Sequence, residues 1–84
     1  MFDWGSLQVE SLKSGVRSVF VPQELLQLAL AETGAKDLQG DGLAKVRDWL
    51  LEQIAAQLAI PVIQQAGAFF KPVDGGARLI FLSR

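Results

Sequence analysis

The chain has 84 residues and a formal charge of −1, and it contains no histidine, cysteine or tyrosine. A chain of this length forms one domain, residues 1–84. Without those three residue types it lacks the commonest general base, the thiol nucleophile and the usual zinc ligands. Its charges are scattered, so no basic run offers a strong phosphate-binding surface. We therefore expect a protein that is not an enzyme and that carries no cofactor or metal.

Half of the residues are hydrophobic and the mean hydropathy is +0.27, which is high for so short a chain. A small domain has few interior positions, so some apolar surface should remain and favour association. The first residues lack the basic and apolar regions of a signal peptide. No apolar run reaches the length of a membrane span. We expect a cytoplasmic protein that forms a homodimer or binds a larger protein.

The first fifteen residues allow two interpretations. Trp4, Leu7 and Leu12 have a loosely helical spacing, and Gly15 suits the position after a helix. This spacing predicts a short helix that ends at Gly15. The alternative is a strand over residues 6–13, because Leu7 and Val9 alternate and Ser14-Gly15 suits a turn.

The middle of the chain predicts a strand and two helices. Residues 16–21 are β-branched and aromatic, which favours a strand. Residues 22–33 form a helix that has Pro22 in its first turn and stops at Gly34. Residues 41–60 form the longest helix, with Asp41 as its N-cap and Pro61 after its end. Its apolar face should consist of Leu43, Val46, Leu50, Leu51, Ile54 and Leu58. Residues 61–67 are either one more helical turn or an extended connector.

Two residues of the long helix depart from its pattern. Arg47 projects into the apolar face, where a guanidinium cannot stay unpaired. It either extends past the edge of the core, pairs with a carboxylate of another segment, or contacts a partner. Trp49 projects beside the apolar face, where it either packs on the strands or anchors a partner.

The end of the chain predicts a β-hairpin around Asp74-Gly75-Gly76. A two-residue loop would place Lys71 opposite Arg78, and directly opposed like charges are unfavourable. A three-residue loop places Lys71 opposite Leu79 and Phe69 opposite Phe81, so we predict this register. The last strand is apolar on both faces. Leu79 and Phe81 can pack on helices, whereas Ile80 and Leu82 need a cover, either the N-terminal segment with Trp4 or a second chain.

Together these elements predict a small α+β domain with about three helices and a three-stranded antiparallel sheet. The order helix, strand, helix, helix, strand, strand resembles that of winged-helix proteins, with the long helix in the recognition position. The resemblance implies nucleic-acid binding through Lys45, Lys71 and Arg78. Asp48 and Glu52 on the outer face of that helix argue against a groove-binding role. The alternative element order is ββααββ, if the first segment is a strand.

Residues 37–48 resemble the twelve-residue calcium loop of EF-hand and dockerin-type proteins. Asp37, Asp41 and Asp48 occupy the first, fifth and twelfth positions, and Gly42 occupies the sixth. Gln39 and Lys45 depart from the pattern at positions that normally supply ligands or a bound water. Calcium binding, like nucleic-acid binding, is an alternative function for the chain.

The function that the sequence favours is a protein-protein interaction or assembly module. Its excess of apolar residues and the two apolar faces of its last strand are the main reasons. The partner-binding residues expected from the sequence are Arg47, Trp49, Ile80 and Leu82.

Overall fold

The computed structural model describes residues 2–83. A short 3-10 turn, Trp4–Ser6, precedes the strands β1, Val9–Lys13, and β2, Val16–Pro22. The helices α1, Gln23–Thr33, and α2, Gly40–Leu58, follow. The chain ends with β3, Val62–Ile63, a 3-10 turn at Gln65–Gly67, β4, Phe69–Val73, and β5, Gly76–Ser83. The described part of the chain is therefore α+β, with two helices and five antiparallel strands.

The structure of the first segment shows that the predicted helix ending at Gly15 was wrong. Residues 9–13 are a strand that pairs with β2, and Gly15, with a φ of 80°, lies in the connecting turn. The observed order is ββααββ with the short extra strand β3, so it is not the winged-helix order. The alternation of Leu7 and Val9 was the better guide, because pairing with β2 outweighs a weak helical spacing.

The two helices agree with the sequence apart from their ends. Gly34 is left-handed and ends α1. The helix α2 begins one residue early at Gly40, and its N-cap is Gln39 rather than Asp41, which lies in the first turn. It ends at Leu58 because Ala59 adopts a left-handed conformation before Pro61. Residues 61–67 combine the extended strand β3 with a 3-10 turn.

The sheet is built around β5. On one side β5 pairs with β2, which pairs in turn with β1. On the other side β5 pairs with both β3 and β4, which lie end to end along the same edge. Gln64, with a φ of 52°, and the following 3-10 turn separate these two short strands.

The core lies between one face of the sheet and the two helices. The buried residues of the sheet's inner face are Val19, Val21, Ala77, Leu79 and Phe81. The buried residues of the helices are Leu25, Leu26, Ala29, Val46, Leu50, Leu51 and Ile54. The packing of Leu79 and Phe81 is therefore as predicted, and the helices cover only one side of the sheet.

The hairpin register differs from the prediction by one residue. The loop has two residues, Asp74 and Gly75, so Lys71 lies opposite Arg78 and Phe69 opposite Ile80. The pairing of β5 with β2 explains this register. Gly76 pairs with Pro22 so closely that a Cβ atom on it would collide with the carbonyl oxygen of Val21. Gly76 is thus part of the strand β5, and the loop consists of Asp74 and Gly75 only.

Candidate functional site

The outer face of the sheet is the surface most distinct from the rest of the molecule. We call it the open face, and it consists of the side chains that point away from the helices. Burial along β5 alternates, with residues 77, 79, 81 and 83 buried and the residues between them partly exposed. The pairings extend this outer row to the neighbouring strands. Its main members are Glu10, Val16, Ser18, Ile63, Phe69, Lys71, Arg78, Ile80 and Leu82.

The apolar part of the open face lies at its centre and at one end. Ile80 has Ser18 on one side and Phe69 on the other, and Leu82 is flanked by Val16 and Ile63. The exposed fraction of Phe69 is 54%. None of the apolar side chains of this face belongs to the cluster that the helices bury. A shallow cavity of about 280 Å³ lies among Val16, Phe69, Ile80 and Leu82.

The charged part of the open face forms a small network. Arg78 donates hydrogen bonds to Ser18 Oγ at 3.2 Å and to Glu10 Oε1 at 3.4 Å. This contact directs the guanidinium toward β1, away from Lys71, and so makes the opposed like charges tolerable. An ion pair this exposed contributes less than about 1 kcal/mol to stability. Its main effect is to hold the guanidinium of Arg78 at Ser18, which lies opposite Ile80.

The structure brings together only two of the four residues predicted to bind a partner. Ile80 and Leu82 are neighbours on the open face. Trp49 lies in the helical layer, with its ring 5.9 Å from that of Trp4. Of the two covers considered for Ile80 and Leu82, this position excludes the N-terminal segment with Trp4. The N-terminal 3-10 turn packs on α2 instead, so within residues 2–83 the open face has no such cover.

Arg47 is accounted for by local contacts. Its Nε donates to Asp48 Oδ1 at 3.0 Å, and its Nη1 donates to the Ala66 carbonyl oxygen at 3.5 Å. Its stem lines a cavity of about 240 Å³ with Phe69 and Phe70. The carboxylate partner is thus the next residue along the helix and not a residue of another segment. Because Arg47 and Phe69 line the same cavity, Arg47 lies near the β4 edge of the open face.

The basic residues expected for nucleic-acid binding do not converge. Lys71 and Arg78 are opposite each other on the open face, where Arg78 already contacts Glu10. Lys45 is exposed on α2, in the layer on the other side of the sheet. A duplex contacted by the helix would therefore not meet the two residues of the hairpin.

The calcium-loop resemblance does not correspond to a loop in the structure. The helix α2 already begins at Gly40, so Asp41 and Asp48 are both helical and Asp48 pairs with Arg47. Within residues 2–83, no three acidic side chains lie close enough together to hold a metal ion.

Sequence reasoning missed Phe69, Glu10 and Val16 as members of the open face. The predicted register turned Phe69 toward the core, because a slip of one residue moves every side chain to the other face. Glu10 required the pairing of β1 with β2, which the helix predicted for the first segment excluded. Val16 required the register of β2 against β5, which places it opposite Leu82. The alternation of Leu7 and Val9 was the available signal for this strand.

Comparison with known proteins gives no relative. No protein-family model matches the chain, and no curated protein and no solved structure matches it significantly. Within residues 2–83, no helix combines the length and apolar character that crossing a membrane requires.

Proposed function

We propose that the protein is an assembly module that binds a second copy of itself through the open face. The observation that supports this proposal is the uncovered apolar centre of the sheet, around Phe69, Ile80 and Leu82. A contiguous apolar patch of this kind on a small domain marks an interaction surface. Antiparallel sheets that are apolar on both sides are typically covered on both sides, as in two packed sheets about 10 Å apart.

The charges of the open face favour a second copy as the occupant. Glu10 is on the β1 edge of the sheet and Lys71 is on the β4 edge. Two copies related by a two-fold axis perpendicular to the strands would place β1 over β1 and repeat each charge against itself. An axis parallel to the strands places β1 over β4 of the second copy. This arrangement places Glu10 over β4 of the second copy, level with Phe69 and two residues along the strand from Lys71. It does so twice, because a two-fold interface repeats each contact.

The variant Ile80→Lys tests this interface at its centre. An ammonium buried without a partner is costly, and the dimer contains the substitution twice. We expect the dissociation constant measured by sedimentation equilibrium to rise by about 100-fold or more, which corresponds to about 2.7 kcal/mol. The thermal unfolding midpoint of the monomer should change little, since Ile80 is only partly buried.

The matched control is Ala56→Lys, which adds the same charge at an exposed position of α2. We expect this variant to associate like the unchanged chain. If Ile80→Lys does not fold, Phe69→Lys carries the test, because Phe69 is the more exposed neighbour of Ile80. An unchanged chain that is monomeric at millimolar concentration, or folded open-face variants that associate as well as it does, would refute the proposal.

A further inference from the structure

A second candidate surface, separate from the open face, lies in the helical layer. It is a cleft of about 650 Å³ between the N-terminal segment and the two helices. Both helices contribute side chains spaced four residues apart, which places them on one stripe of each helix. The lining residues are Phe2, Trp4, Glu24, Leu28, Glu32, Trp49, Gln53 and Gln57. The volume is within the range of about 300–1,000 Å³ that is typical of small-molecule sites.

Three aromatic rings form a connected wall of this cleft. The ring centroids of Phe2 and Trp4 are 5.3 Å apart, and the rings are inclined by 75°. Those of Trp4 and Trp49 are 5.9 Å apart, with an inclination of 54°. Rings inclined in this way present both faces and edges to the space beside them and do not form a closed stack. The face of an aromatic ring is negative and attracts cations, most strongly for tryptophan.

The charged residues of the cleft are both acidic. Glu24 and Glu32 line it from α1, and no lysine or arginine is among the lining residues. Within residues 2–83, the ion pairs involve other carboxylates, those of Asp48 and Glu10. Gln53 and Gln57 add neutral amides that can accept hydrogen bonds. The charged side chains that line the cleft are therefore negative, which favours a cation over an anion.

We propose that this cleft binds an organic cation of the alkylated ammonium class. Its alkyl groups would contact the tryptophan rings, and its charge would be stabilised by the ring faces and by the two carboxylates. A small metal ion is strongly hydrated and finds too few ligands here, since Glu24 and Glu32 are eight residues apart along α1. That separation corresponds to a rise of about 12 Å along the helix. An alkylated ammonium is weakly hydrated and gains more from an aromatic wall.

The test compares choline with 3,3-dimethyl-1-butanol, which has the same shape and no charge. Trp4 and Trp49 are the only tryptophans of the chain, so the intrinsic fluorescence of the unchanged protein reports on the cleft. We expect choline to bind at least about tenfold more tightly than the neutral isostere, as a desolvated cation–aromatic contact implies. A peptide that contains one trimethyllysine is titrated beside the same peptide with leucine. This comparison shows whether the cleft binds the ammonium group as part of a protein side chain or only as a free small molecule.

Two variants test whether choline binds in this cleft. Its binding to each variant is measured from the methyl NMR signal of choline. Glu32→Gln should weaken choline binding about threefold, because one exposed carboxylate contributes less than about 1 kcal/mol. Trp49→Leu should weaken it tenfold or more. The control Glu52→Gln removes an exposed carboxylate of α2 outside the cleft and should leave binding unchanged. Equal binding of the neutral isostere, or an equal effect of Glu52→Gln and Glu32→Gln, would overturn the proposal. The glutamate variants keep the test decisive if Trp49→Leu fails to fold.

Discussion

Replacing Gly76 with alanine is expected to lower the free energy of unfolding by about 3 kcal/mol or more. A Cβ atom at this position would collide with the Val21 carbonyl oxygen and lie 3.1 Å from Pro22 Cα. Both atoms belong to the backbone of β2, so no flexible side chain can move to make room. The adjacent turn is also fixed, because the Gly75 carbonyl oxygen accepts a hydrogen bond from Gln23 N at 2.9 Å.

The control for this prediction is Gly67→Ala. No atom lies within 4 Å of the Cβ position at Gly67, and its φ is not in the left-handed region. We expect its free energy of unfolding to stay within about 1 kcal/mol of that of the unchanged chain. Urea unfolding of the two variants measures the difference. Equal stability of both variants would mean that β5 and β2 are not in the register described.

Replacing Leu50 with alanine is expected to lower the free energy of unfolding by about 2–5 kcal/mol. Leu50 is completely buried in the middle of α2, at the contact between the helices and the inner face of the sheet. The loss includes the transfer of its side chain from water and the cavity that the shorter side chain leaves. A domain of this size has only about 4–13 kcal/mol of stability in total, so the variant should lose a large fraction of it.

The matched control is the same substitution at an exposed leucine, Leu12→Ala. The exposed fraction of Leu12 is 52%, and it lies in the irregular end of β1. Surface substitutions of this kind change stability by about 0.5 kcal/mol or less. Denaturant titrations at 25 °C compare the two variants. A loss at Leu50 no larger than that at Leu12 would contradict the placement of α2 over the sheet.

The sequence predicts the two helices and the C-terminal hairpin of this fold, but it misses the strand β1 and the register of the hairpin. The apolar period and the stop signals at Gly34 and Pro61 were sufficient to place both helices within a few residues. Local signals of that kind act within one or two turns. The strand β1 has only the weak alternation of Leu7 and Val9 as a signal, because its residues are nearly all exposed and its pairing with β2 is what stabilises it. Such non-local pairing cannot be read from a short stretch.

The predicted register of the hairpin was wrong for a similar reason. The repulsion between Lys71 and Arg78 was a sound local argument, but Arg78 is held by Ser18 and Glu10 from distant parts of the chain. The close approach of Gly76 to β2 decided the register instead. This one-residue difference moved Phe69 from the core to the open face. The sequence predicted that β5 is apolar on both faces. It did not predict the strands β1 and β3, which complete the open face.

The open face as an interface between two copies is tested most directly by mixing two charge variants. Glu10→Lys makes both edge residues of the face basic, and Lys71→Glu makes both acidic. If β1 lies over β4 of the second copy, each variant alone repeats like charges across the interface twice and is expected to be mainly monomeric. The mixture restores an opposite pair at both positions.

Native mass spectrometry of the two variants, separately and mixed in equal amounts, gives the answer in one measurement. We expect monomers for each variant alone and a dimer of one copy of each in the mixture. Thermal unfolding of each variant should show a folded domain, because the exposed pair of Glu10 and Arg78 contributes less than about 1 kcal/mol. Folded variants that dimerise as readily alone as when mixed, or a mixture that stays monomeric, would contradict the account.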